Sequence, residues 1–130
     1  MAKRVFLSFV QEDLVLVNLF RGQAKNKNSE LEFSDYSVKE PYESSNAAYI
    51  RSKIRGRIRL ASVTICLIGR QTYTSHWVDW EIRASNDEGN RIIGVRLHSD
   101  HLDIPPQALR DVGASIFDWD IDAVVRAIGQ

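Results

Sequence analysis

The sequence is poor in cysteine, in net charge and in long hydrophobic runs. A single cysteine, Cys66, excludes a disulfide within the chain, and its apolar surroundings at 62–68 predict a buried thiol rather than a nucleophile. Seventeen basic and seventeen acidic residues cancel, so no overall field draws the protein to nucleic acid or to an anionic membrane. No apolar run approaches the roughly 18 residues of a membrane span. These absences predict a protein of the reducing cytoplasm with neither nucleic acid nor a membrane as its partner.

The sequence also lacks the signatures of several common functional sites. The patterns G-x-G-x-x-G and G-x-x-x-x-G-K-[ST] do not occur, so ordinary dinucleotide-cofactor and phosphate-loop sites lack their turn chemistry. His76, His98 and His101 show no ligand spacing with a cysteine or a carboxylate cluster, which predicts no metal site. Ser8 is not surrounded by a G-x-S-x-G elbow, so we do not interpret it as a hydrolase nucleophile.

The patterns that are present predict one α/β domain over residues 1–130. Its hydrophobic content of 44% suits a single core. The two most continuously apolar runs, at 5–9 and 62–68, predict central strands covered on both faces. Strands and helices alternate about five times, which predicts a flavodoxin-like three-layer sandwich with a five-stranded parallel sheet in the order 2-1-3-4-5. The other strands are predicted at 31–36, 91–97 and 114–117.

Apolar residues at three- and four-residue steps predict the helices between these strands. The first covers 12–24, and the third begins after a Ser75 cap and ends at Gly89 and Asn90. The last begins at Asp118 or Asp120. The second helix is basic, and its arginines form either an ordinary solvated face or a surface that meets a phosphate or an acidic partner. Its apolar stripe consists of Ala47, Ile50, Ile54, Ile58 and Ala61.

Glu81 is the most unusual residue of the third helix. At helical spacing it points into the middle of a broad face that Trp77 and Trp80 share. A carboxylate there must have a partner, lie at the mouth of a cleft or be protonated. One interpretation is a structural pair with an arginine. The other is functional, because ligands of such sheets bind beyond the carboxyl ends of the strands, where the first and third strands meet.

One carboxylate beside aromatic rings suits the cleavage of an N-glycosidic bond to a cationic base. Glycosidases normally need a second carboxyl group to protonate the leaving oxygen. Nicotinamide leaves NAD already neutral, so a single negative charge can hold the ribose and stabilise an oxocarbenium-like transition state. The residues therefore suit a substrate such as NAD and call for no bound cofactor.

Several short motifs resemble a known family. Arg-Val-Phe-Leu-Ser-Phe at 4–9, with Asp13 soon after, resembles the start of TIR domains. Ser-His-Trp-Val-Asp-Trp-Glu at 75–81 is similar to the TIR motif in which Trp, three residues and Glu begin the third helix. Over roughly 4–97, the order of the motifs looks like the TIR-like (ThsB-type) subunits of bacterial Thoeris anti-phage systems. The likeness also extends over 66–72 and 89–94.

The resemblance implies a function and assigns residues to it. Members of that family sense infection, convert NAD into a cyclic ADP-ribose-type signal and so activate a separate effector; a phage trigger or a second copy of the chain is a further implied partner. By motif, Glu81 is the implied catalytic carboxylate and Trp77 part of the pocket wall. By position at strand ends, Phe9 and Asp35 are the other implied substrate-binding residues.

Two other functions stay open at this stage. The loop at 37–48 lacks the Arg-Asp…Pro-Gly pattern of animal receptor TIR domains, and Val78 replaces the cysteine that commonly follows the motif tryptophan. The first departure argues against receptor-style pairing, and the second leaves catalysis unaffected. A catalytically idle TIR-like adaptor would bind a partner through that loop or the basic helix. A nucleoside deoxyribosyltransferase-like enzyme also uses a glutamate on a related fold, but the motif order favours NAD consumption.

Overall fold

Within the residues that the structure describes, five parallel strands form one sheet in the order 2-1-3-4-5, numbered along the chain, as the sequence predicts. The structure is a computed structural model that describes residues 2–36, 42 and 44–129. The strands are β1 (Lys3–Ser8), β2 (Leu31–Ser34), β3 (Val63–Ile68), β4 (Arg91–Arg96) and β5 (Ser115–Phe117). The helices are α1 (Leu14–Lys27), α2 (Ala47–Leu60), α3 (His76–Asp87), α4 (Gln107–Asp111) and α5 (Ile121–Ile128).

The two predicted central strands, β1 and β3, pair directly with each other from Val5 opposite Val63 to Ser8 opposite Cys66. All six residues of β3 are buried, because helices cover the sheet on both faces. β1 ends one residue earlier than predicted, so Phe9 lies just past the strand. β2 is two residues shorter than predicted, because its last pair with β1 is Phe6 opposite Ser34 and the chain then leaves the ladder.

The helix boundaries follow the local chemistry. Ser75 caps α3, since its hydroxyl accepts a hydrogen bond of 3.1 Å from the Val78 amide. Beyond α3 the chain turns at Gly89, whose φ of +81° is strained for other residues. Asp120 caps α5 in the same way as Ser75 caps α3. Periodicity does not predict the 3-10 turns at Gln11–Asp13, which delays α1 to residue 14, and at Thr72–Thr74, or the five-residue helix α4.

The core lies in two layers, one on each face of the sheet. α1 and α5 cover one face, where Leu7, Phe20 and Val124 are buried. α2, α3 and α4 cover the other, where Phe6 packs on Ile54 and its neighbours. Among the described residues no helix has both the length and the apolar character needed to cross a bilayer. Because the strands are parallel and α3 packs on the sheet, the carboxyl ends of β1, β2 and β3 lie on the same side as the start of α3.

The thiol of Cys66 is expected to be unreactive in the folded protein. It is fully buried in β3, and its pKa is raised, first by burial and then by the charge of Glu81. Native protein should therefore resist a thiol reagent for as long as the sheet stays closed, and protein unfolded in urea should be labelled at once. Rapid labelling without denaturant, followed by mass spectrometry, would show that β3 is accessible.

Candidate active site

A cleft of about 190 Å³ lies beyond the carboxyl ends of β1 and β2, beside the start of the helix that follows β3. The strand order reverses between β1 and β3, and parallel sheets bind ligands near such a point. The ends of β1 and β2, one face of α2 and the beginning of α3 each contribute side chains. The lining residues are Leu7, Phe9, Val10, Gln11, Glu12, Tyr36, Ile54, Ser75, Trp77 and Glu81.

The carboxyl group of Glu81 forms the polar floor of the cleft. Glu81 is only 5% exposed, because the face of α3 that carries it packs on the sheet with Val78 and Ile82. The Ser8 hydroxyl donates a hydrogen bond of 2.6 Å to its Oε1. Burial raises the pKa of Glu81 to about 8; the Ser8 hydrogen bond opposes that rise and the negative charge of Asp35 adds to it. At neutral pH the carboxyl group of Glu81 is therefore mostly protonated, and a cation placed beside it would favour its ionisation.

If Glu81 were only a structural residue, it would pair with an arginine, whereas its hydrogen-bond partner in the structure is Ser8. Within the described residues, Glu81 forms no ion pair; its hydrogen bond is to Ser8 at the end of β1. The arginines of the neighbouring helix α2 are engaged elsewhere: Arg55, for example, contacts Glu88 at 2.9 Å. The carboxyl group is therefore not consumed by a structural ion pair.

Trp77 lines the cleft and belongs to an aromatic cluster beside it. Its ring packs edge-on against Tyr42, with 4.9 Å between the centroids, and against Trp80 at 6.2 Å. The guanidinium of Arg51 lies 5.6 Å from the Trp77 centroid and 4.5 Å from that of Tyr42. This cluster fixes the indole of Trp77 beside Glu81.

Phe9 and Asp35 have different positions relative to the cleft. Phe9 lines it from the end of β1, with the Arg21 guanidinium 6.0 Å from the ring centroid. Asp35 lies outside the lining. Its carboxylate pairs with Arg21, and its backbone oxygen accepts a hydrogen bond from Arg57. Asp35 therefore acts on Glu81 through its charge, and its contact with substrate stays a prediction.

Sequence reasoning missed the part that Ser8 plays. The sequence predicts no catalytic role for Ser8, because no suitable motif surrounds it, yet Ser8 is fully buried and its hydroxyl donates a hydrogen bond to Glu81. The signal was present in the sequence, because a serine inside the apolar strand β1 must find a buried hydrogen-bond partner. Tyr36 is a second cleft residue that the sequence did not single out.

Comparisons with known proteins point to one family. The family model described as "Thoeris protein ThsB, TIR-like domain" matches residues 6–101. The chain is also similar to ThsB1 of Bacillus cereus (strain MSX-D12), which is provisionally named a cyclic ADP-D-ribose synthase. The two are 36% identical over 103 residues, with 76% of this chain and 54% of that protein covered. The chain thus spans about half the length of this curated relative.

Solved structures with the same fold include other TIR domains. The TIR domains of the activated Roq1 resistosome, which directly recognises the pathogen effector XopQ, match with a TM-score of 0.55 and 17% identity, covering 97% of this chain and 69% of that one. A 3-dehydroquinate dehydratase-like protein from Bifidobacterium longum matches with a TM-score of 0.50 and 14% identity, covering 99% and 94%. At these identities the likeness concerns the fold alone.

Proposed function

Because this chain belongs to the family of Thoeris ThsB TIR-like domains, we propose that it is an enzyme that cleaves the nicotinamide–ribose bond of NAD. Its product is a cyclic ADP-ribose-type nucleotide that activates a separate effector protein in anti-phage defence. The observation that carries the proposal is the buried Glu81 carboxyl group, which faces a cleft and has no arginine partner among the described residues. The name of the Bacillus cereus relative, a cyclic ADP-D-ribose synthase, supports the same chemistry.

The cleft supplies what this reaction needs. The positive nicotinamide ring favours ionisation of Glu81 when it enters, because an opposite charge stabilises the carboxylate. As the bond breaks, its electron pair passes to the ring nitrogen and nicotinamide leaves neutral, so no general acid is required. The carboxylate of Glu81 then faces the positive charge that develops on the ribose. Phe9 and Trp77 line the same cleft and offer ring faces to the base.

The size of the cleft limits how much of NAD it encloses. Pockets that enclose a whole drug-sized ligand have volumes of about 300–1,000 Å³. At about 190 Å³ this cleft is smaller, so it takes in the nicotinamide and its ribose and leaves the pyrophosphate and the adenosine at the rim. A hydroxyl of the adenosine half can then fold back to the ribose carbon, whereas water that reaches this carbon gives ADP-ribose.

Chromatography of NAD after incubation with concentrated protein tests the proposal. We expect nicotinamide and a cyclic ADP-ribose-type product, which lacks the water that hydrolysis adds and differs in mass and retention from linear ADP-ribose. If the products are nicotinamide and linear ADP-ribose, the enzyme hydrolyses NAD and does not cyclise it. NAD that stays intact would contradict the proposal.

The adaptor alternative has weaker support, since it needs Glu81 in an ion pair, and much of its proposed docking loop, 37–41 and 43, lies outside the described residues. No observation here favours the deoxyribosyltransferase alternative.

Burial of Glu81 is expected to set the pH dependence of the reaction, and the hydrogen bond from Ser8 to adjust it. Protonated Glu81 cannot stabilise positive charge, so kcat/KM should rise with pH and level off above about 8, the pKa to which burial raises this group. Removing the Ser8 hydroxyl in Ser8→Ala removes a bond that favours the ionised form, and the profile should move to higher pH. Rate measurements with NAD between pH 6 and about 10 would reveal the shift.

A serine on the same helix as Glu81 serves as a matched control. Ser85 is equally buried on α3, but its hydroxyl oxygen accepts a hydrogen bond of 2.8 Å from Thr64 Oγ1 and the residue lies outside the cleft lining. Ser85→Ala should therefore lose some stability and keep the wild-type pH profile. Superimposable profiles for Ser8→Ala and wild type would mean that Ser8 does not tune Glu81.

A further inference from the structure

The basic face of α2 is mostly engaged in structural contacts. Arg55 and Arg59 share the carboxylate of Glu88, at 2.9 and 3.1 Å. Arg57 donates to the backbone oxygen of Asp35. These three arginines tie α2 to its neighbours, which agrees with the interpretation of this helix as an ordinary polar face.

Arg51 differs from Arg55, Arg57 and Arg59, because its guanidinium stacks on aromatic rings. Its guanidinium lies over the rings of Tyr42 and Trp77, at 4.5 and 5.6 Å from their centroids. Within the described residues it makes no ion pair with a carboxylate. A stacked guanidinium keeps its N–H groups free at its edge, and these groups form a planar fork that matches a phosphate. Arg51 is therefore a positioned cation whose donors remain available.

The position of Arg51 places those donors at the rim of the cleft. Trp77, over which Arg51 stacks, is part of the cleft wall beside Glu81. Ile54, three residues further along α2 and hence on the same helix face, lines the cleft as well. The guanidinium thus lies next to the opening through which the substrate must extend.

We propose that Arg51 binds the pyrophosphate of NAD and so selects nicotinamide ribosides that carry phosphate. The inference rests on the proposed NAD cleavage. The cleft encloses the reacting end only, so the pyrophosphate, which is joined to the enclosed ribose, lies at the rim. Arginine forms paired, charge-assisted hydrogen bonds to phosphate oxygens, which fix position as well as supply affinity. Arg51 accordingly holds the substrate while Glu81 acts on its bond.

Kinetics with three substrates of decreasing phosphate content test this role. NAD, nicotinamide mononucleotide and nicotinamide riboside share the scissile bond and carry two, one and no phosphate groups. In Arg51→Gln, KM for NAD should rise by about 10- to 100-fold, the range for one charge-assisted contact, with a smaller change in kcat. kcat/KM for the riboside should stay at the wild-type value. Arg51→Lys, which keeps the charge without the planar fork, should fall between the two.

A control variant and a binding measurement complete the test. Lys53→Gln removes a charge from the same helix, at a side chain that contacts Tyr49 away from the cleft lining, and should leave all three substrates unaffected. Calorimetry with ADP-ribose needs no turnover, and Arg51→Gln should bind this pyrophosphate about 10-fold or more weakly than wild type.

Two results would overturn the assignment of Arg51. An equal loss of kcat/KM for all three substrates in Arg51→Gln would mean that the residue only supports the Trp77 wall. Wild-type affinity of this variant for ADP-ribose would mean that it does not contact phosphate. Neither result would contradict NAD cleavage by the wild-type protein. The proposed function itself fails only if the wild-type protein releases no nicotinamide from NAD.

Discussion

Glu81→Gln is expected to lose at least about 10²-fold in NAD cleavage while the protein keeps its fold. The substitution keeps the shape of the side chain and an oxygen that can accept the Ser8 hydrogen bond, 2.6 Å long in the wild type. It removes the negative charge that faces the developing charge on the ribose. Nicotinamide release measures the first effect, and thermal unfolding measures the second. Because Glu81 is only 5% exposed, the substitution keeps a buried side chain of the same size in place.

The pH dependence of stability gives this variant a second, independent readout. The pKa of Glu81 is raised from 4.5 to about 8 in the folded protein, so the folded state retains a proton that the unfolded state releases. The stability from this group is fully present below pH 4.5 and is lost as pH rises through about 8. Glu81→Gln should abolish that loss and match or exceed the wild-type melting temperature at alkaline pH.

Asp79→Asn is a matched control for the charge change. Asp79 lies on the same helix, and its partner Arg83 is 2.9 Å away on an exposed face outside the cleft lining. Its loss should cost no more than about 1 kcal/mol and leave turnover unchanged. An unstable Glu81→Gln, with a loss on the order of 3 kcal/mol, would restore the structural ion-pair interpretation. A stable variant that still consumes NAD would place the chemistry on another residue.

Gly69→Ala is expected to destabilise the protein by about 1–3 kcal/mol or more. A Cβ atom at Gly69 would lie 2.6 Å from the carboxyl carbon of Asp13, well inside van der Waals contact. Neither the backbone of Gly69 nor the side chain of Asp13 can move easily. The Gly69 amide donates a hydrogen bond of 2.8 Å to Thr72 Oγ1, and Asp13 is a short, buried side chain that closes the turn before α1. Urea unfolding of the variant measures the cost.

Other glycines of the chain provide controls for this prediction. Gly22 and Gly56 lie inside α1 and α2, where an added Cβ meets nothing within 4 Å. Gly22→Ala and Gly56→Ala should each stabilise the protein by about 0.5–1 kcal/mol, because alanine favours helix more than glycine does. Adding Asp13→Ala to Gly69→Ala should recover stability beyond additivity. Wild-type stability of Gly69→Ala alone would mean that the Asp13 carboxylate is not packed there.

The sequence was sufficient for the sheet because its signals are local. The apolar run at 62–68 identified β3, and the serine at 75 identified the start of α3. The same local signals brought Phe9, Trp77 and Glu81 to one cleft. Pairings between distant side chains were not predictable in this way. The charge of Asp35, for instance, is taken up by Arg21 from another element, so this residue lies beside the cleft rather than in it.

The partners Ser8 and Glu81 stand 73 positions apart along the chain. Between them lie β2, α2 and β3, and parallel pairing of β1 with β3 requires that a long loop close first, which makes such topologies slow to fold. During synthesis, at about 5–20 residues per second, an emerging chain has its serine long before its carboxylate. Nascent and half-folded chains accordingly lack the hydrogen-bonded pair of Ser8 and Glu81, so under the proposed function they would not consume NAD before folding is complete.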